Sequence, residues 1–339
     1  MEISLQRNYW PITGWQEASP QEHGMDPSVL AKLDTYVAAV PPRIHAILVV
    51  RHGYLVFEKY YHGDTKSNYQ MIRSVTKSVT SALVGIALQQ GYIRSLDQTL
   101  SDFFPQYFTA RTDPCKKEIT LRHLLTLTHG FLPDHVVERM YPQKPASYLE
   151  TALEEAMMLA PPGQLFAYSS IGVELLSILL AQLTHMSLID FAKEHLFEPL
   201  GIATDERAGF VWETDNQGYY HGSGGLHLLP RDMAKFGYLY LNNGYWEGKQ
   251  LIPADYIKSS TQSQSTGGFP ESARYGYLWW VTEQQGHRAY FAAGRGGQYI
   301  YVIPDLDIVI TISSTVGEGP GIHHKDYILP LFILPAILR

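Results

Sequence analysis

Ser74 and Lys77, three residues apart in Arg73-Ser74-Val75-Thr76-Lys77, are the pair in this chain whose types and spacing suit nucleophilic chemistry. Residues three apart share a face of a helix. A serine near a helix start lies close to free backbone N–H groups and to the positive end of the helix dipole. Its hydroxyl is a weak nucleophile until a base takes its proton. A lysine one turn away can be that base if partial burial favours its neutral form. The spacing by itself fits an N-cap serine beside a solvated lysine equally well, so the choice depends on what the rest of the chain places around the pair.

The first positioning element is the helix that carries them. Val75, Val79, Ala82, Leu83, Ile86 and Ala87 recur at helical spacing, which predicts one buried stripe, and Gly91 reads as the C-terminal cap. Ahead of it, residues 1–25 read as an irregular arm, and Asp26-Pro27 as a capped helix start. Residues 46–51 and 54–61 read as a β-hairpin turned by His52-Gly53. After it, helices are expected over 120–130, 148–159, 172–183, from Ser187 to Pro199, and over 230–242. Strands are expected over 277–282, 288–292, 298–303 and 308–313, the last two joined by a turn at Pro304–Asp307. Strands at both ends with helices between them predict an α+β fold: an antiparallel sheet flanked by helices and closed by both chain termini, plus a mainly helical region. Residues 1–73 and 227–339 would form the sheet domain and 74–226 the helical one, with the active site between them.

Composition narrows the function classes. The 339 residues are 45% hydrophobic and 17% charged, enough apolar material for a substantial core. The net charge of -7 and the lack of a basic stripe argue against nucleic acid as a partner. A single cysteine, Cys115, excludes an internal disulfide, and no histidine spacing suggests a metal site, so neither metal nor cofactor is expected. No apolar run reaches the roughly 18 residues of a membrane span. The first residues lack the basic-then-apolar pattern of a signal peptide, giving a cytoplasmic location by default, with a trimmed exported protein as the alternative. The apolar tail from Tyr327, broken by Pro330 and Pro335, is expected to pack on the protein.

Four segments in this order resemble the serine β-lactamase and penicillin-binding-protein superfamily, in particular its class C-like branch of esterases and 6-aminohexanoate-dimer hydrolases. They are Ser74-Val75-Thr76-Lys77; Pro161-Pro162-Gly163 followed by Tyr168-Ser169-Ser170; His221-Gly222-Ser223-Gly224-Gly225-Leu226 running into Pro230–Gly237; and Tyr290–Gln298 on a late strand. The resemblance implies the β-lactamase/transpeptidase-like fold and a serine hydrolase that forms an acyl-enzyme. Ser74 would be the nucleophile, and Lys77 and Tyr168 one hydrogen-bonded unit that moves protons. The oxyanion hole would be the backbone N–H groups of Ser74 and Arg295. Two departures bear on the substrate: Ser170 stands where the family often has Asn, and Ala292-Ala293-Gly294 where it has Lys-Thr-Gly or His-Thr-Gly.

Ser170, His221, Gly294, Arg295 and Trp212 are the substrate-binding candidates, with Tyr219 and Tyr220 equally suited to pocket or core. His129 and His227 are read as structural. The expected substrate is a small carboxylic ester or amide. A β-lactamase or D,D-peptidase is the alternative within the same chemistry, and a catalytically silent binding or sensor protein is the alternative outside it.

Overall fold

The computed structural model describes residues 7–40, 44–109, 112–140, 143, 145–315 and 323–338. The first six residues of the expected arm lie outside this set. The chain opens with Pro27–Leu30, a turn of helix capped by the Asp26 carboxylate accepting from the Ser28 N–H, and continues into α1, Lys32–Ala39. Strands β1, Ile44–Arg51, and β2, Tyr54–Tyr60, form the expected hairpin. The remaining strands come late: β3, Ser265–Gly268; β4, Ala273–Tyr275; β5, Trp280–Gln284; β6, His287–Gly294; β7, Gln298–Ile303; and β8, Ile308–Ser314.

These eight strands form one antiparallel sheet in the order β2-β1-β8-β7-β6-β5-β4-β3. β1 and β8 are joined in register from Ala46 against Ser313 to Arg51 against Ile308, so an early and a late strand of the chain pair inside the sheet, one strand in from its β2 edge. Their unbroken apolar runs, Ile47–Val50 and Ile308–Ile310, are the pattern of strands covered on both faces.

The helices lie between the two groups of strands in sequence: α2, Thr76–Gln89; α3, Asp134–Met140; α4, Ile171–Thr184; and α5, Pro230–Leu241. α2 packs against α4, and α5 lies across β1, β7 and β8. A two-stranded pair, Gln70–Met71 with His227–Leu228, and a bond from the Ile72 N–H to the Leu226 carbonyl bring the third motif beside the start of α2.

Several expectations need correction. α2 is buried all round from Thr76 to Ala87, not along one stripe. Its polar side chains are satisfied inside the protein: the Ser78 hydroxyl donates to the Leu278 carbonyl at 2.6 Å, Thr80 to that of Gly222 at 2.7 Å, and Ser81 pairs with the Tyr256 hydroxyl at 3.0 Å. The strand expected at Tyr277 begins at Trp280, because Leu278 takes a φ of 58° and points its N–H to the Leu125 carbonyl. The helix expected to Gly130 stops at Leu125, and the one expected to Leu159 stops at Glu155. β3 and β4 were not among the expected strands.

Among the described residues no single helix is long and apolar enough to cross a membrane. The tail packs as expected, with Ile328, Leu329 and Ile333 buried.

Candidate active site

Ser74 sits in a tight turn, Arg73–Val75, that feeds directly into α2. Arg73 has a φ of 51°, a left-handed conformation that a residue other than glycine adopts only at a cost. The strain lies immediately before the hydroxyl the sequence singles out. Lys77, one turn on, is buried. Its ammonium makes three hydrogen bonds: to Ser74 Oγ at 3.1 Å, to Ser170 Oγ at 3.0 Å and to the Ser223 carbonyl at 3.0 Å. An ammonium has three donors, so this set is complete. The solvated-lysine reading of the pair is therefore set aside.

Tyr168 lies on the loop that enters α4, its ring stacked on Trp280 with centroids 5.7 Å apart. Lys77 Nζ is 5.1 Å from the centroid of the Tyr168 ring. Among the described contacts the pair meets through the ring face and not through a hydrogen bond, because all three lysine protons are taken elsewhere. Ser170, at the start of α4, accepts from Lys77 and donates to Asp134 Oδ2 at 2.7 Å, while its N–H donates to Asp134 Oδ1 at 2.7 Å. Asp134 opens α3, and its own N–H donates to the Tyr168 carbonyl at 2.8 Å. Sequence reasoning missed Asp134, which lies outside every motif and element it singled out.

The His221–Gly225 loop forms the next side. Glu174, on α4 and buried, accepts from the N–H groups of Gly222 at 3.0 Å and Ser223 at 3.2 Å and from the Ser223 hydroxyl, and lies 3.4 Å from His221 Nδ1. These bonds hold the Ser223 carbonyl against Lys77. Glu174 was also missed, although it is the one charged residue in the apolar helix Ile171–Thr184. His221 is buried edge-on against the Tyr148 ring. Trp212 is a core residue: it packs on Phe197 and Tyr220 and donates its indole N–H to the His221 carbonyl at 2.8 Å. It supports the loop from beneath.

β6 closes the remaining side. Ala292 and Ala293 are buried, and Gly294 ends the strand against the turn before Ser74. A side chain at Gly294 would come within 2.4 Å of the Ile72 carbonyl oxygen, so only glycine permits this approach. The contact brings the end of β6 against the turn that carries Ser74. The Arg295 guanidinium extends away into solvent and pairs with Glu138 on α3 at 3.1 Å.

His129 is fully buried. Burial pushes it down to about 3, against a backbone contact from Ser169 that favours its charged form. It fills the space left by the missing side chain of Gly172, whose Cβ would lie 2.6 Å from the ring. It thus wedges the Tyr168–Gly172 entry to α4 in place. Burial also lowers His227.

Residues 43–332 match the beta-lactamase family model. The 6-aminohexanoate-dimer hydrolase of Paenarthrobacter ureafaciens is 22% identical over 299 residues, covering 80% of this chain and 72% of that protein. Among solved structures, the octameric penicillin-binding protein homologue from Pyrococcus abyssi superposes with a TM-score of 0.73 at 21% identity, covering 93% of this chain and 78% of that one. EstCE1, a hydrolase with promiscuous acyltransferase activity, gives 0.70 at 18% identity, covering 94% and 98%. At these identities the structural likenesses speak for the fold.

Proposed function

This chain belongs to the beta-lactamase family, and we propose that it is a serine hydrolase acting through an acyl-enzyme on a carboxylic ester or small amide. The observation that carries this reading is the contact of Lys77 Nζ with Ser74 Oγ at 3.1 Å, made by a buried lysine that, among the described residues, has no carboxylate directly bonded to it.

In this mechanism the Lys77–Tyr168 pair first releases one proton to solvent; Ser74 Oγ then attacks the substrate acyl carbon while its own proton passes to the pair. The negative charge on the former carbonyl oxygen is met by the backbone N–H groups of Ser74 and Arg295, donors of a kind that typically contribute about 10²–10³ in rate each. The tetrahedral intermediate collapses, the leaving alcohol or amine takes the proton, and Ser74 keeps the acyl group. Water then attacks the ester, its proton goes to the same pair, and Ser74 Oγ is released with its proton restored.

Two features support a neutral, apolar substrate over an anionic one. Methyl groups occupy Ala292 and Ala293, and Glu138 already pairs with Arg295. Phe269 is exposed beside His135, the residue following Asp134, with ring centroids 5.6 Å apart.

The decisive experiment is Ser74→Ala, assayed with p-nitrophenyl esters and a fluorophosphonate probe. Loss of both turnover and labelling is expected, with the fold retained, because removing one hydroxyl here should cost about 1 kcal/mol or less. Turnover at the wild-type rate in the alanine variant would place the nucleophile elsewhere. A wild-type protein that neither turns over the esters nor takes up the probe would favour a silent binding protein.

A further inference from the structure

Ser170 is a small residue in a demanding place. Its hydroxyl must receive a proton from Lys77 Nζ at 3.0 Å, and it does so while giving its own to Asp134 Oδ2 at 2.7 Å. Asp134 cannot turn away, because its other oxygen is bonded to the Ser170 N–H at 2.7 Å. The two bonds form a fork on a single residue. A carboxylate accepts only, so the Ser170 proton has one direction to point and its lone pairs are left facing the lysine.

We propose that Asp134 is a positioning residue for proton transfer. Acting through Ser170, it orients Lys77 on Ser74 and keeps a negative charge one hydroxyl behind the ammonium. The inference rests on the acyl-enzyme reading above.

The charged and titratable groups around Lys77 make Asp134 the carboxylate linked to it through a side-chain hydroxyl. Tyr168 presents its ring from the loop before α4. Glu174, on α4, is bonded to the Ser223 amide and hydroxyl and lies beside His221, so it reaches Lys77 only through the backbone of that loop. Arg73 precedes Ser74 on the same turn. Arg295 and Glu138 pair with each other in solvent. The hydrogen bond from Ser170 to Asp134 therefore fixes where the Lys77 proton that meets Ser170 points, and with it the placement of Nζ on Ser74.

The test uses the full-length protein with a p-nitrophenyl ester, comparing wild type, Asp134→Asn, Ser170→Ala and the double variant. Ser170→Ala keeps the Ser170 N–H bond to Asp134 and so leaves the start of α3 tied; only the hydroxyl link is cut. Each single variant should lower kcat by about ten- to a hundredfold, the range for one charge-assisted hydrogen bond, with KM changed less than about threefold. The double variant should be no worse than Ser170→Ala.

An unchanged kcat in both single variants, a KM that rises as far as kcat falls, or losses that multiply in the double, would overturn the proposal while fluorophosphonate labelling of Ser74 in wild type still upheld the hydrolase. Absence of that labelling would instead remove the hydrolase reading itself.

Discussion

The Lys77 side of Ser74 and the Arg295 side differ in how firmly they are held. On the first, a buried ammonium has all three protons bonded, and each acceptor is itself fixed: Ser170 by Asp134, and the Ser223 backbone by Glu174. On the second, the strand end is fixed by the close approach of Gly294 to Ile72, but the side chain beyond it is an exposed arginine paired with an exposed glutamate. Proton transfer requires placement to within a few tenths of an ångström, and the interior can supply it. Contacts that select among substrates lie where side chains can be replaced without disturbing that interior. Substitutions on the first side should therefore act on rate, and on the second side on preference.

The largest effect should come from the centre of the rigid side. Lys77→Ala and Tyr168→Phe are each expected to lower kcat by several orders of magnitude, with the double variant little worse than either, since groups acting as a unit are not additive. The ring-face contact at 5.1 Å makes this a sharp test, because no direct hydrogen bond enforces the coupling in the free protein. Multiplicative losses in pre-steady-state acylation would show that the two side chains work independently.

One step outward, Glu174→Gln keeps the shape of the side chain but replaces one acceptor oxygen with an NH₂ group facing N–H donors. The Ser223 carbonyl should lose its fixed position. A fall in stability of about 1–3 kcal/mol is expected from the buried donors left unpaired, together with about a tenfold fall in kcat. Urea unfolding and steady-state assays measure the two; an unchanged kcat in a destabilised protein would reduce Glu174 to a purely structural role.

How legible these two sides were in sequence follows from the range of the signals. Ser74 and Lys77 lie one helical turn apart, and the β1–β2 hairpin is announced by an apolar run broken at His52-Gly53, so local spacing suffices for both. Tyr168 and Ser170 came from their place in an ordered set of motifs. Asp134 lies 36 residues before Ser170 in an aperiodic stretch, and no local pattern joins them. Glu174 could have been found: it is the one charged residue in Ile171–Thr184, and a lone acid in so apolar a helix must be exposed or bonded. The buried polar face of α2 misled in the opposite sense, because Ser78, Thr80 and Ser81 look like solvent-facing residues until their distant partners are known.

His129 gives a test of the rigid side that leaves the chemistry aside. It stays neutral in the fold down to about 3, whereas in the unfolded chain an imidazole takes up a proton below about 6.5. The unfolded state then binds more protons, so stability is fully present above the unfolded value and falls as the pH is lowered toward the folded one. His129→Asn can keep an acceptor for the Phe131 N–H, now bonded to His129 Nδ1 at 3.2 Å, but cannot titrate. The loss of unfolding free energy between about pH 7 and about pH 5 should be smaller in this variant than in wild type. An equal loss in both would assign the acid sensitivity to other groups.

The smallest effect on turnover should come from the exposed side. In the proposed mechanism Arg295 serves through its backbone N–H, which Arg295→Ala retains. Its pair with Glu138 is solvent-exposed, a class of ion pair worth about 0–1 kcal/mol, so removing it should barely change stability. Turnover of a short p-nitrophenyl ester should change less than about threefold in the variant, because a neutral ester has no charge for the guanidinium to meet. Wild type should also prefer that ester over a chromogenic cephalosporin by at least about a hundredfold in kcat/KM, since Ala292 and Ala293 offer methyl groups where an anionic substrate needs a charge-assisted hydrogen bond. Glu138→Gln sharpens the comparison by releasing Arg295 from its partner. If the freed guanidinium can reach back to a carboxylate, cephalosporin turnover should rise in Glu138→Gln and the rise should vanish when Arg295→Ala is added. If wild type already prefers the cephalosporin and Arg295→Ala removes that preference, Arg295 is the anion-binding group in spite of Glu138, and the neutral-ester reading fails.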